Sequence, residues 1–267
     1  MKVLVTGATG TVGGYLTKSL LKKGIEVSAL VRNPSRGDLP GGVWKVPGDL
    51  SDASSFQDAL KGIDCLFLLL RPDGDPTVIQ YAKAAGVSKI IGVSDGTKYP
   101  TEDALYQSDI PWTMLFPLEF MKNALIFWKD SIRYELTAKT PFPDSKGAQI
   151  HERDIADAAA AVILQEGHIG KSYYLTGPEI ITPRSRIEDI SRAIGRPVTM
   201  IVQTEQEART EYASWGFSPE LIDYAIESTK NPDPYMYSVQ PTVEQLTGHP
   251  ARTFAQWAQE HAADFLP

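Results

Sequence analysis

MKVLVTGATGTVGGYL, residues 1–16, decides the fold. KVLVT at 2–6 is a β-rich run of strand length, Gly7 follows at once, and Val12 to Lys23 has helical apolar spacing that stops at Gly24, a natural C′ residue. Gly7, Gly10 and Gly13 therefore lie between a strand and a helix, the context a dinucleotide-binding loop requires. Gly7 allows the tight turn, Gly10 lets the backbone approach a pyrophosphate, and Gly13 lets helix and strand pack closely. The helix N-terminus, with its unpaired N–H groups and partial positive charge, then faces the anion. The spacing is G-x-x-G-x-x-G, wider in its first gap than the dehydrogenase form. The bland alternative is that these glycines only make a tight turn.

Strands and helices alternate onward from this unit. Ile25 to Val31, Val43 to Pro47, Asp64 to Leu70, Lys89 to Ser94 and Trp112 to Phe116 read as strands, and the Asp64 run is apolar throughout, as in strands covered on both faces. Ala53 to Lys61 reads as a helix capped by Ser51 or Asp52, and Asp75 with Pro76 opens another that runs to Gly86. Leu118 to Tyr134 reads as one long helix. The expected architecture is α/β: a Rossmann-like, doubly wound parallel sheet over residues 1–135. A smaller mixed α/β substrate-side lobe is expected over 136–267, with interleaving of the two allowed. In that lobe helices are expected near 153–165, 183–194, 205–214, 218–229 and 252–264, strands near 172–176 and 198–202, and a proline-rich loop at 231–241.

The second strand ends at Arg32, where enzymes using NAD usually place a carboxylate for the ribose 2′-OH. A guanidinium there can pair with a 2′-phosphate, so the phosphorylated cofactor NADP(H) is expected; a solvated surface arginine is the alternative. Asp49 and Leu50 stand where this fold cradles adenine, and Asp49 equally suits a cap on the next helix.

Composition narrows the classes. The chain has 267 residues, 42% hydrophobic and 22% charged, with ordinary glycine and proline content, so it has material for a core. A net charge of -7 and a pI near 5.2 argue against direct nucleic-acid binding. Cys65 is the sole cysteine and lies in the apolar run CLFLLL, so a buried, inert thiol is expected. The first strand begins at Lys2, and no apolar run approaches the roughly 18 residues of a spanning helix; no membrane association and a cytoplasmic location are expected.

The glycine loop and Arg32, with IHERDIADAAAAVI at 150–163, YYLTGPEIIT at 173–182 and LTGHPARTFAQWAQEHAADF at 246–265, resemble the NmrA-like branch of atypical short-chain dehydrogenases/reductases over nearly the whole chain. That family includes triphenylmethane reductase-like and quinone-reductase-like enzymes, relatives in polyketide and alkaloid pathways, and redox-sensing regulators without turnover. The resemblance implies that the backbone after Thr6 and around Thr9, Gly10, Thr11 and Val12 holds the pyrophosphate. It implies that Leu69, Leu70 and Arg71 approach the nicotinamide ribose, although Arg71 can equally be a phosphate or substrate contact or simply solvent-exposed. Family members carry an arginine-proline-glycine turn followed by phenylalanine, methionine and asparagine near the nicotinamide. Here the stretch is FPLEFMKN at 116–123: Phe116 and Leu118 are the departures, while Pro117, Phe120, Met121 and Asn123 keep the pattern and imply a more hydrophobic pocket.

The chemistry is less legible. No tyrosine has a lysine four residues later, the pairing that lowers a phenol pKa in related enzymes. Hydride transfer to an electron-poor acceptor can proceed by positioning alone; where a proton is needed, Ser94, Tyr99 and His151 are the candidate donors. His151 also reads as a structural histidine at the pocket wall, before a helix capped near Asp154. GVSDG at 92–96 matches a nucleophile elbow, but Thr97 to Pro100 interrupts the strand-to-helix turn an elbow needs. GKS at 170–172 lacks the earlier glycine of a phosphate loop, and the four histidines show no metal-ligand spacing, so no metal is expected. Trp215, Phe217 and Tyr224 can close the substrate lobe or simply pack in a core.

Two readings follow. One is an NADPH-dependent reductase of a small apolar or aromatic acceptor, such as a quinone, an imine or iminium, or an enone-like compound. The other is a nonenzymatic NADP(H)-binding redox-sensing regulator that acts through a partner protein. A homodimer is allowed under either.

Overall fold

The computed structural model describes residues 1–35, 39–232 and 237–267. In chain order the elements are β1 (Lys2–Val5), α1 (Thr11–Lys22), β2 (Glu26–Val31), β3 (Trp44–Pro47), a 3-10 helix (Ala53–Leu60), β4 (Cys65–Leu69), α2 (Thr77–Ala84), β5 (Lys89–Val93), α3 (Pro100–Tyr106) and β6 (Trp112–Pro117). There follow α4 (Asn123–Glu135), β7 (Thr137–Thr140), α5 (Glu152–Leu164), β8 (Lys171–Leu175), α6 (Pro183–Ile194), β9 (Thr199–Val202), α7 (Glu205–Ser214), α8 (Pro219–Lys230), α9 (Thr242–Thr247), α10 (Phe254–Glu260) and a 3-10 turn (Ala262–Phe265).

The chain divides into two compact units. The first holds Met1–Pro117, Glu152–Leu175 and Thr242–His249. Its seven strands run in the order β3-β2-β1-β4-β5-β6-β8, every neighbouring pair parallel. The order reverses direction between β1 and β4, the switch point at which ligands bind in such sheets. Strand alternation explains why the central strands are apolar at every position. Leu4, Leu66, Leu68, Ile90 and Met114 join Phe56, Leu60, Val78, Ile79 and Leu105 in one core cluster. Val3, Val5, Cys65, Phe67 and Ile91 alternate with them and are equally buried on the other face, where α1 packs against the alanine-rich α5.

The second unit holds Leu118–His151, Thr176–Pro241 and Pro250–Pro267. Its core joins Met121, Trp128 and Ile132 of the α4 region to Ile187 and Ile190 of α6 and Phe254 and Trp257 of α10. β7 and β9 form a two-stranded parallel sheet beside it. The helices start where local chemistry dictates: Thr182, Thr204 and Thr253 each close a capping box, with Ser185, Glu207 and Gln256 respectively.

The structure departs from the sequence reading in identifiable places. The units do not part near residue 135; α4 belongs to the second unit, whereas α5 and α9 belong to the first. The expected helix from Leu118 begins only at Asn123, because Phe120 bridges to Ile150 and Met121 N–H donates to Ile150 O at 3.0 Å. The segment after β3 is a 3-10 helix broken at Phe56, capped by Asp52 rather than Ser51. α5 opens at Glu152, so Asp154 lies within its first turn and is buried there instead of capping it. Part of the loop expected at 231–241 falls on residues 233–236, outside the described residues. Among the described residues, no helix is long and apolar enough to cross a membrane.

Candidate functional site

The glycine loop forms the turn its spacing predicts. Gly7 has φ +64°, the left-handed region that favours glycine, and Gly10 N–H closes the turn onto Gly7 O at 2.8 Å. A Cβ on Gly13 would stand 2.3 Å from Gly7 O and 2.7 Å from Gly7 C, so α1 can lie this close to the loop only with glycine there. No side chain caps α1 at Gly10 and no acidic residue occupies its first turn, so no carboxylate of that turn competes for the helix's positive end. Thr9 and Gly10 are exposed, and Thr11 and Val12 half-buried. The residues fit a dinucleotide: a cradle of backbone that a Cβ would fill, at an uncapped helix N-terminus of positive polarity.

Thr6, not singled out in the sequence beyond its place before the loop, holds this turn to the next strand. Its N–H donates to Phe67 O at 3.0 Å and its buried hydroxyl accepts from Leu69 N–H at 2.8 Å. β1 and β4 are thereby tied where they diverge. Leu69, exposed at the end of β4, and buried Leu70 carry the chain past this point.

On the β2 side, Arg32 is exposed immediately after the strand. Gly48 N–H donates to Val31 O at 3.1 Å, bringing the loop after β3 beside it; a Cβ on Gly48 would meet Phe56 Cβ at 2.6 Å. Asp49 does not cap the next helix. Its carboxylate accepts from the N–H and hydroxyl of Ser51, which hold it below the ordinary carboxylate range, with Arg32 and Arg71 adding to the same effect. Leu50 O accepts from Asp75 N–H at 2.8 Å. Asp75 does more than start α2: one carboxylate oxygen takes Thr77 N–H and hydroxyl, and the other takes Ala53 N–H at 2.9 Å. The loops after β3 and β4 are thus one hydrogen-bonded structure. Arg71 forks onto Asp73 through Nε and Nη2.

At the ends of β5 and β6, the candidate proton donors are enclosed. Ser94 is buried, with its Oγ 3.4 Å from Glu102 Oε2 and accepting from Gly96 N–H at 3.3 Å. Tyr99 packs in the core and donates its hydroxyl to Asp95 Oδ2 at 2.9 Å. Residues 94–99 separate β5 from α3, so GVSDG is not an elbow. Pro117, the last residue of β6, is buried opposite Leu175, and Phe116, where the family pattern has arginine, stacks on Tyr174 at 5.1 Å.

In the second unit, Phe120 is half-buried in its bridge, Met121 is fully buried, and Asn123 starts α4. His151 is fully buried, with Nε2 3.5 Å from Glu260 Oε2. Glu119, unmarked in the sequence, accepts from Gln149 Nε2 at 2.8 Å and Arg186 Nη1 at 3.2 Å, while the Arg186 guanidinium lies 5.0 Å from the Trp128 ring centre. Trp215 and Phe217 do come together, 5.9 Å between ring centres, and they gather Tyr212 and Phe127, which sequence spacing did not link to them. Burial pushes the Tyr212 phenol up to about 12. Trp215 keeps 39% of its surface exposed, and Tyr224, on α8, is exposed as well.

The fold contacts also juxtapose groups that sequence spacing did not. Asp154 and Asp157 of α5 and His249 after α9 bring ligand-type atoms within 4.8 Å of one another, with His249 Nε2 3.4 Å from Asp157 Oδ2. Cys65 is buried, and its thiol is pushed up to about 12 by desolvation.

Residues 7–101 match the NAD(P)H-binding domain family. The chain is 34% identical to (4-alkanoyl-5-oxo-2,5-dihydrofuran-3-yl)methyl phosphate reductase of Streptomyces griseus over 99% of each chain. The NADPH-dependent quinone oxidoreductase of Escherichia coli, solved with NADPH, superposes with TM-score 0.81 at 27% identity, covering 97% of this chain and 99% of that one. NmrA, a negative transcriptional regulator solved with NADP, shares the fold with TM-score 0.73 at 18% identity, covering 97% and 94%.

Proposed function

Because this chain belongs to the NmrA-like branch of the NAD(P)H-binding, atypical short-chain dehydrogenases/reductases, we propose that it is an NADPH-dependent reductase of a small apolar or aromatic acceptor. The observation that carries this reading is the backbone cradle formed where Gly13 packs on Gly7, at the open end of α1. Bound there, NADPH supplies a hydride equivalent. The N-terminal amides of α1 hold the pyrophosphate charge, Thr6 keeps the ends of β1 and β4 in register, and Arg32 selects the 2′-phosphate.

The acceptor class follows from the second unit's side chains. Trp215, Phe217, Tyr212 and Phe127 form one aromatic group in which Trp215 keeps part of its surface exposed, and Phe120 is half-buried with Asn123 following at the start of α4. Such a set favours planar, electron-poor compounds over sugars or amino acids. Ser94 and Tyr99 have their hydroxyls directed to protein groups in this conformation and His151 is fully buried, which supports hydride transfer governed by positioning rather than by a tyrosine acid.

The test is loss of NADPH absorbance with a panel of quinones, imines and cationic dyes. Turnover with at least one class supports the reductase. The same enclosure of the three donors favours, as a second reading, a redox-sensing NADP(H)-binding regulator acting through a partner protein. Tight NADPH binding with no oxidation across the whole panel would select that reading and reject the first.

A further inference from the structure

The second unit contains a small sheet with one edge sealed and the other open. β7 and β9 pair in parallel, and no third strand joins them among the described residues. Thr199 N–H donates to Leu136 O at 2.8 Å and Gln203 N–H to Thr140 O at 3.1 Å. By strand alternation the N–H and C=O groups of Met200 and Val202 therefore point away from β7, and Lys139 O points away from β9. Lys139 O accepts from Trp128 Nε1 at 2.9 Å, so the indole of α4 closes the β7 edge. The β9 edge has no such cover: Thr199 to Val202 carry no charge and no proline, and Val202 keeps 58% of its surface exposed. An uncharged open edge is a template for another strand.

Beside this edge lies a groove of about 350 Å³ between β9 and α6. Its floor is apolar: Ile187 is buried, and Val198 and Met200 pack against the same core. Its rim carries Arg184, Glu188 and Arg192, spaced four residues apart on α6 and alternating in charge. At about 1.5 Å per helical residue the two arginines stand about 12 Å apart along the axis, with the carboxylate midway. An extended chain advances about 13 Å in four residues, so every second side chain of a strand added to β9 comes level with one member of this row. Arg184 gives Nε and Nη2 to Asp144, and Arg192 gives Nη2 to Asp189. These bonds orient both guanidiniums and leave Arg184 Nη1 and Arg192 Nε and Nη1 as donors for a further carboxylate.

We propose that β9 takes an extended segment of a partner protein as a third strand, and that this segment carries two acidic side chains four residues apart with a basic one midway. The acidic groups meet Arg184 and Arg192, the basic one meets Glu188, and their aliphatic stems cover Ile187, Val198 and Met200. Main-chain bonds to Met200 and Val202 supply affinity, and the charge row sets the register. The pattern reads alike in either chain direction. Within this chain it occurs only as Glu207, Arg209 and Glu211, which α7 holds in helical form, so the occupant is a foreign segment and not a second copy. The interaction needs no cofactor and no turnover.

The test is fluorescence anisotropy of a labelled peptide, Thr-Val-Glu-Val-Lys-Val-Glu-Val-Thr, titrated with the full chain. Binding should be saturable, and a peptide with its glutamates and lysine exchanged should bind at least about tenfold more weakly. Val202→Pro removes one outward N–H at an edge position that tolerates proline, and should weaken binding about tenfold. Two further peptides, N-methylated on alternate residues in opposite phase, read the same ladder on the unmodified chain: the phase whose N–H groups face β9 should lose about tenfold and the other should not. Absence of saturable binding, equal binding of the two charge patterns, or equal effects of the two methylation phases overturns the proposal, as does full binding by Val202→Pro. If the unmodified chain sediments as a dimer that Val202→Pro converts to a monomer, a second copy holds the edge and the proposal is likewise overturned.

Discussion

Replacing Gly13 by alanine should damage both stability and cofactor binding, and replacing its neighbour Gly14 should not. The new Cβ at position 13 would lie 2.3 Å from Gly7 O, 2.7 Å from Gly7 C and 2.9 Å from Ala8 Cα. All three are main-chain atoms, so no side-chain rotation relieves the overlap and the loop itself must move. At position 14 the nearest atom is Ala8 O at 3.6 Å, an ordinary contact. Both substitutions gain about 1 kcal/mol from helix propensity. At Gly14 that gain stands unopposed. At Gly13 it meets an overpacking cost of about 3 kcal/mol or more, the upper end of the usual range, because backbone has to shift. The expected net changes are about +1 kcal/mol for Gly14→Ala and about −2 kcal/mol for Gly13→Ala, which convert to melting shifts of roughly 2–4 °C per kcal/mol for a chain near this size. Displacing the Gly7–Gly10 turn should also weaken NADPH binding by at least about tenfold, equivalent to 1.4 kcal/mol. Thermal melts and NADPH fluorescence titrations of the two variants read both effects. If Gly13→Ala melts with Gly14→Ala and binds NADPH as the unmodified chain does, the close approach of α1 to the loop is not what positions the cofactor.

Arg32→Ala should weaken NADPH by about tenfold or more and NADH far less, measured as a ratio of dissociation constants; equal losses would remove the 2′-phosphate argument. Asp75→Ala should cost about 1–2 kcal/mol at neutral pH, read by urea unfolding, because one carboxylate serves Thr77 and Ala53. Bonds from Thr77 and Ala53 hold that carboxyl below its ordinary range, so its contribution is complete above about pH 4 and is lost as pH falls through the folded-state pKa; the variant should show a smaller loss of stability on acidification. Cys65, with its thiol pushed up to about 12, should resist a thiol reagent at pH near 8 in the native chain and react fully in denaturant; rapid native labelling would contradict its burial.

Much of the first unit was legible because its signals are local or repeated. The strands from β1 to β6 are apolar runs bounded by turn residues, and in the second unit α6, α7 and α8 fall where apolar spacing predicts helices, near 183–194, 205–214 and 218–229. β7 was missed because TAKT carries no strand signature and becomes a strand only by pairing with β9. Leu118 to Met121 continues the apolar spacing of α4, and only the pairing of Phe120 with Ile150 keeps it out of the helix. The aromatic group was half legible: Trp215 and Phe217 are near in sequence, but Phe127 reaches them from α4 through tertiary packing.

The glycine loop is determined by sequence alone, because what requires glycine there, the positive φ of Gly7 and the close approach of Gly13 to Gly7 and Ala8, lies within residues 7–13 and follows from a strand turning into a helix. A dinucleotide cofactor comes with it, and the family resemblance comes from that loop taken together with the stretches at 150–163, 173–182 and 246–265. Tertiary structure decided the rest of the site. Thr6 finds Leu69 across a strand pair, and Asp75 accepts the Ala53 N–H at the start of the 3-10 helix that precedes it in the chain. Those contacts depend on which strands lie side by side, a global outcome of core packing that local residue patterns do not encode.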